Sequence, residues 1–508
     1  VFVGNWRLGV FVCFGYNDFF EGTTLVPSSQ PRAHAGEGES MNTKVPSQGN
    51  PSTASLETVG IDGVAYAVPR LTLPIAGEWA ERRASVFAHG DVDALVAKVS
   101  SGIGVTEMAV ADAHEDVVTL GAQAMRHLLE QQHIALADVG HVLFASEGGV
   151  DFSKSASSYV LGLMSEYFAQ DTSHIANAEI KFACAASSYA IEYAAALLRS
   201  GMCARKYVVV IASDIARYEL ETPGEYTQGA GAVALALCRN PSLVALDEGP
   251  MATASADERD FFRPLFRSFP TVDGKYSVEI YLSLVEKAFG RFLKNKSAEQ
   301  KMLARDVFGQ AAGLLFHVPF PKMAEYIAGR LLLPAFEAGD ALAPDQRAEA
   351  EKAFRKSPRF KEIFREKVEP SLVLSRRIGN IYSGSLPLAL ASFLTQDPEK
   401  LAALAGKPLL FFGYGSGSTA RVYSGTLLSS AARAVRPPDL SAFARQSVGV
   451  DDYERLHAHS EVRQERNGHA MVAPVGPSVA KPRDEFVYLG MKAAPQSELG
   501  HRVYKVQS

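Results

Sequence analysis

Four apolar runs of this chain end on residue types that can do chemistry. "FASEGG" delivers Glu147, "IKFAC" delivers Cys184, "LLFHVPF" delivers His317, and "FFGYGSGS" delivers a glycine–serine loop. A cysteine can act as a nucleophile, and a glutamate or histidine can move protons as a general acid or base. Each residue alone also has a plainer reading. A free cysteine is usually a small buried hydrophobe. A lone histidine after a strand is commonly buried and hydrogen-bonded, and a lone glutamate commonly lies on the surface. The loop can be a tight turn, since it matches neither the dinucleotide fingerprint nor the phosphate-binding loop and lacks the latter's lysine. The coincidence of all four carries weight because α/β folds gather their sites beyond the carboxyl ends of strands.

Cys184 has a further argument. The run "AASSYAIEYAAALL" reads as a helix and puts the cysteine at its N-terminus. Unpaired amides and the helix dipole there favour a thiolate. A free thiol titrates at about 8.5, so the expectation is a lowered pKa, each unit being about 1.4 kcal/mol in favour of the anion. Ala185, Ala186, Ser187 and Ala190 make a small-residue face, which predicts close packing in the interior. Together these features describe an activated thiol in a buried pocket.

The elements that must position these residues alternate along the chain. "HVLFAS" (141–146), "YVVVIAS" (207–213), "LLFHV" (314–318) and "PLLFFGYG" (408–415) are short apolar runs that read as strands buried on both faces. Segments of helical period lie between them, such as 116–131 and 187–201, the second closed by Gly201. The alternation predicts an α/β protein with its sheets covered by helices. Residues 345–369 carry dense charge of both signs and read as a solvated helical surface. The tail beyond about residue 430 is polar, with weak local signals.

Composition bounds the rest. The 508 residues are 47% hydrophobic and 21% charged, with a net charge of −5. Nothing in that balance supports nucleic-acid binding, which leaves a basic stripe or a high pI. Four cysteines without metal spacing argue against a disulfide scaffold or a metal site and for a reducing compartment. No run is long and apolar enough to span a bilayer, so no membrane association is expected and a cytoplasmic location is. Residues 1–57 differ in character from the rest, and the first methionine is Met41. They are expected to be a disordered extension or a start-site artefact, with Met41 the working start.

Eight blocks then identify a relationship. "GIGVTEMAV" (102–110), "SEGGVDFSKS" (146–155), "IASDIARY" (211–218), "TQGAGAVAL" (227–235), "RPLFRSFPTVDGKYS" (263–277), "FHVPFPKM" (316–323), "GNIYSGSL" (379–386) and "FGYGSGS" (412–418) occur in order. In them the chain resembles the hydroxymethylglutaryl-CoA synthases, especially the bacterial mevalonate-pathway type, from about residue 58 onward. The resemblance implies a thiolase-like fold of two similar layered α/β halves, residues 58–225 and 226–508, and a homodimer. It also implies condensation of acetyl-CoA with acetoacetyl-CoA through acetyl-Cys184, with no cofactor beyond the coenzyme A of the substrates. Glu147 would be the general acid/base, and His317 would orient acetoacetyl-CoA. Asp214 and Asp260 would support the site. Thr227, Ser277, Lys322, Asn380, Tyr382 and Ser416 would lie near coenzyme A or the acyl chain, with Lys322 the best partner for its phosphates. Backbone amides of the glycine loop could stabilise developing oxyanions.

The chain also departs from the family pattern. Ala185, Ala186, Ser187 and Ser188 replace a Tyr, two small residues and a Thr, Phe182 stands where bacterial relatives tend to have Glu, and Tyr326 replaces a lysine. The alternatives are a branch of the family that takes its substrates from an acyl carrier protein in polyketide assembly, and a non-catalytic thiolase-fold subunit. An intact Cys–Glu–His set argues against the latter.

Overall fold

The computed structural model describes residues 57–264, 267, 269–300, 303–336, 344–459, 477–482, 485–492 and 501–507. The expectations for residues 1–40 and for a start at Met41 lie outside these.

Ten strands form one mixed sheet. Their spatial order is Gly313–Phe316, Pro408–Gly415, Thr419–Leu427, Val244–Leu246, Val59–Ala67, Gly229–Arg239, Tyr207–Ala216, Val139–Ala145 and Ala176–Ile180, with Ala252–Ser255 beside Thr419–Leu427. Pairing is parallel only at the two ends: Gly313–Phe316 with Pro408–Gly415, and Val139–Ala145 with its two neighbours. The expected strand 408–415 is found residue for residue, and the strand read at 314–318 runs Gly313–Phe316, leaving His317 just past its end.

Side chains alternate across a strand, so each strand feeds two cores. Val208, Val210 and Ala212 enter a central core, while Val209 and Ile211 face the layer of helix Val117–Gln131. At the other end Leu409 and Phe411 enter the same central core, while Leu410, Phe412 and Tyr414 face helices Gly274–Gln300 and Lys322–Phe336. The central core also holds helices Ala186–Arg199 and Ser385–Leu394. The second is buried at every residue and apolar but for Ser385 and Ser392, whose hydroxyls are hydrogen-bonded, as suits a helix packed within the core. The two halves of the one sheet therefore flank the central helices and carry further helices on their outer faces, five layers in all.

Local signals place the helices. Asp116 accepts from the amides of Val118 and Thr119 at 3.0 Å, and Thr119 Oγ1 accepts from the Asp116 amide at 2.8 Å, a reciprocal cap that starts Val117–Gln131. Gly201 takes φ +74° just past Ala186–Arg199, as its sequence position predicts.

One expectation is corrected. Residues 345–369 form helices Pro344–Lys356 and Pro358–Lys367, yet they are not simply solvated. Phe354 and Phe360 are buried, and Glu351 is buried with Arg330 Nε at 2.9 Å. The tail is also structured: helix Val450–His459 and the hairpin Glu485–Met491 with Arg502–Gln507 both pack on the body. Arg502 Nη1 and Tyr504 Oη donate to Asp116 at 3.0 and 2.7 Å, so the hairpin gains its order from a residue far back in the chain. Among the described residues no helix is long and apolar enough to cross a membrane, and no cluster of His, Cys, Asp or Glu could hold a metal ion.

Candidate active site

Cys184 follows a sharp exit from the edge strand Ala176–Ile180. Ala183 takes φ +40°, a left-handed conformation that costs an L-residue roughly 1–2 kcal/mol and is held at functional turns by its surroundings. The Ala185 amide donates to Phe182 O at 3.0 Å, closing the turn, and the helix begins at Ala186. Cys184 therefore lies two residues outside the helix. The tip of Pro408–Gly415 presses on this turn. A Cβ at Gly415 would stand 2.7 Å from the Ala185 nitrogen and 2.8 Å from Phe182 O, so only glycine fits.

The thiol is 9% exposed and packs with Ala216, Tyr218, Tyr382 and Phe261. Burial pushes its pKa well above the ordinary thiol value, and the negative charges of Glu147, Asp214 and Asp260 add to that. The expectation of a lowered pKa is thus overturned. Desolvation and three carboxylates outweigh a helix start whose first residue is Ala186.

Glu147 follows strand Val139–Ala145 with its side chain 9% exposed. Burial raises its carboxyl pKa, opposed by Arg263 and Lys181. Arg263 Nη2 lies 3.0 Å from Glu147 Oε2. The main chain of Glu147 is fixed by Asp214, whose Oδ1 accepts its amide at 2.9 Å and the Ser146 hydroxyl at 2.7 Å. Asp214 Oδ2 accepts the amide of Ser383 at 3.0 Å, tying the turn after Ile381 to the same carboxylate. Burial and the charge of Glu147 push Asp214 up to about 7, against the pull of these donors.

His317 is 2% exposed and enters from the other half of the sheet. Its amide donates to Phe412 O at 2.8 Å and its carbonyl accepts Tyr281 Oη at 2.8 Å, fixing the residue by its main chain. The ring is left for other work: Nδ1 is buried without a hydrogen-bond partner, and burial pushes the imidazole down to about 3. His317 is a neutral donor or acceptor at any ordinary pH. Asp260, fully buried, accepts Tyr414 Oη at 2.7 Å and the Gly417 amide at 2.9 Å, and so anchors the glycine–serine loop. That amide is committed to Asp260 and is not an oxyanion donor.

The expected binding residues divide into groups. Thr227, Asn380 and Tyr382 are buried on one strap: the Asn380 amide donates to Thr227 O at 2.9 Å, and Asn380 Oδ1 accepts the Tyr382 amide at 2.9 Å. Tyr382 has φ +42°, and its ring meets Phe261 and Tyr218 at 5.9 and 6.4 Å between centroids. Ser277 Oγ is 3.4 Å from Asp260 Oδ2, and Ser416 lies half-buried in the loop that Asp260 anchors. Lys322 opens a helix further out, its Nζ 2.6 Å from Glu325. Arg263, Tyr218, Phe261, Ser146 and Ser383 were not singled out from the sequence. Ser146, Tyr218, Arg263 and Ser383 all stand inside the eight blocks, and Phe261 just before one, but no local pattern marks any of them as facing the site.

A buried thiol among carboxylates, walled by aromatic rings, suits acyl transfer followed by proton abstraction. The carboxylates can take the thiol proton and then a proton next to a thioester carbonyl.

The family model described as hydroxymethylglutaryl-coenzyme A synthase N terminal matches residues 83–242, and its C-terminal counterpart matches 244–442. A hydroxymethylglutaryl-CoA synthase of Haloferax volcanii is 29% identical over 458 residues, 86% of this chain and 97% of that protein. One from Enterococcus faecalis is 31% identical over 407 residues, 79% of this chain and 92% of that protein. A solved structure of MvaS in complex with 3-hydroxy-3-methylglutaryl coenzyme A is similar with a TM-score of 0.72 at 31% identity, covering 89% of this chain and all of that one.

Proposed function

Since this chain belongs to the hydroxymethylglutaryl-CoA synthase family, an acyltransferase family of thiolase-like α/β fold, we propose that it condenses acetyl-CoA with acetoacetyl-CoA. The observation that carries the reading is the Cys184 thiol, buried against Tyr218 and Tyr382 and under the charge of the Glu147, Asp214 and Asp260 carboxylates.

Cys184 attacks the acetyl thioester, its proton passes to a neighbouring carboxylate, and coenzyme A leaves as the thiol. Because the thiol is held neutral, acylation needs that base at the moment of attack rather than a standing thiolate. Glu147 then removes a proton from the acetyl methyl group. Its raised pKa makes it a stronger base than a solvated carboxylate. The carbanion attacks the ketone of acetoacetyl-CoA, whose oxygen takes a proton. Neutral His317, with an unpartnered Nδ1, is suited to holding that substrate's carbonyl. Water finally cleaves the thioester to Cys184, giving hydroxymethylglutaryl-CoA and the free thiol.

The reading includes a homodimer in the cytoplasm. Cys184, Cys203 and Cys238 are free and buried, which suits a reducing compartment. The chemistry needs no cofactor beyond the substrates' coenzyme A.

The test is incubation with each thioester alone and with both, followed by intact-mass and product analysis. Acetyl-CoA alone should acetylate Cys184, and both together should yield hydroxymethylglutaryl-CoA. Acetylation only from an acetylated acyl carrier protein would transfer the reading to carrier-bound substrates. No acetylation from either source would remove it.

A further inference from the structure

Tyr218 walls the nucleophile after its strand, Tyr207–Ala216, has ended. Its main chain is buried where no neighbouring strand can satisfy it, and a buried amide or carbonyl must find another partner. Both partners are side chains. The Tyr218 amide donates to Gln228 Oε1 at 2.7 Å, and the Tyr218 carbonyl lies 2.8 Å from His457 Nε2. A carbonyl can only accept, so Nε2 of His457 carries the proton.

Gln228 is itself oriented from the same helix. Its Nε2 donates to Tyr453 Oη at 2.6 Å, and Tyr453 Oη lies 3.4 Å from Glu225 Oε1. That carboxylate also accepts from Trp79 Nε1 and Arg83 Nε, each at 3.0 Å. Glu225 can only accept, so Tyr453 donates to it and accepts from Gln228, which turns the Gln228 oxygen toward Tyr218. Tyr453 and His457 are four residues apart on helix Val450–His459 and share a face, one serving each polar group of Tyr218. The helix lies beyond residue 442, where the family match ends.

We propose that Tyr453, acting through Gln228, and His457 are positioning residues: from a helix beyond the family model's last matched residue they clamp the main chain of Tyr218 and so hold its ring against Cys184. The inference rests on Cys184 being the acyl acceptor.

The experiment measures the rate of Cys184 acetylation at saturating acetyl-CoA, by quenched intact mass, in a set of variants. His457→Ala and Tyr453→Phe should each slow acetylation about tenfold, the scale of one buried hydrogen bond. His457→Gln can still donate from Nε2 and should restore most of the rate. In a Tyr218→Ala background neither change should slow it further, because a residue acting through another loses its effect when that one is gone. Losses that multiply in that background would overturn the proposal, as would a His457→Gln variant as slow as alanine. If His457→Ala does not fold, Tyr453→Phe, which removes one oxygen, carries the same cycle. If the wild-type protein is not acetylated at all, the functional reading fails. The cycle is then read on alkylation of Cys184 by iodoacetamide, which needs no substrate and should respond to the same ring.

Discussion

The Arg263 guanidinium stands 3.0 Å from the Glu147 carboxylate and opposes the effect of burial on it. Burial disfavours the charged carboxylate, and the positive charge favours it. Removing the charge should raise the pKa further, so that the basic form exists only at higher pH. Arg263→Leu should therefore move the acid limb of the turnover profile upward. A profile superimposable on wild type would mean that this ion pair does not tune the base.

Cys184 should be the only cysteine acetylated, and Cys184→Ser should lose nearly all turnover, a hydroxyl being the poorer nucleophile. Glu147→Gln should still form acetyl-Cys184 but lose condensation and deuterium exchange of the acetyl methyl group, by about 10²–10⁴-fold. The same variant removes a negative charge that raises the thiol pKa, so iodoacetamide should alkylate Cys184 faster than in wild type at a fixed neutral pH. Unchanged alkylation would separate the two groups. Wild-type deuterium uptake would assign the base elsewhere.

His317→Ala should weaken use of acetoacetyl-CoA while leaving acetylation of Cys184 intact. Loss of one hydrogen bond to a carbonyl costs about 0.5–1.5 kcal/mol, and more as charge builds on that oxygen. With its pKa pushed down to about 3, His317 stays neutral and should add no limb to the profile between pH 5 and 9. Failure of His317→Ala to acetylate would show that the imidazole activates the thiol instead.

Asp214 bears on stability as well as geometry. Its carboxyl titrates at about 7 in the folded protein against an ordinary value near 3.9, so the native state holds the proton more tightly. That contribution is full below about pH 4 and is lost as pH rises through 7. Asp214→Asn removes it and sets an amide donor against either the Glu147 or the Ser383 amide, since only one of its two polar atoms can still accept. Wild type should lead the variant in urea midpoint by more at pH 5 than at pH 8. A pH-independent gap would falsify the buried-proton account. Turnover of the variant should fall together with methyl exchange, because Glu147 loses its anchor.

Much of the site was legible because Glu147, His317 and the glycine–serine loop each end a strongly apolar run. Glu147 and His317 follow buried strands, and Pro408–Gly415 was readable from its first residue to its last. What the sequence could not show is charge brought in from afar. The helix start beside Cys184 argues for a lowered thiol pKa, but burial, and after it the charges of Glu147, Asp214 and Asp260 from three separate segments, reverse it. Arg263 reaches Glu147 across 116 residues from a short irregular stretch with no periodic signal. The tail was unreadable for the same reason. Tyr453 and His457 sit in a charged helix, and their partners, Gln228 and the Tyr218 carbonyl, lie more than 200 residues away.

The placement of strand Val59–Ala67 has a consequence for synthesis. It lies between Gly229–Arg239 and Val244–Leu246, antiparallel to both. A chain emerging amino end first therefore exposes an apolar, β-prone strand with no partner until its neighbours have been translated. At about 5–20 residues per second that interval is roughly ten to thirty seconds. A fragment ending at residue 225 would keep both edges of that strand open permanently, as well as the edge of Tyr207–Ala216 that Gly229–Arg239 covers. Unpaired edges of this kind recruit other chains. A gene split at residue 225 should therefore yield aggregate unless both pieces are made together.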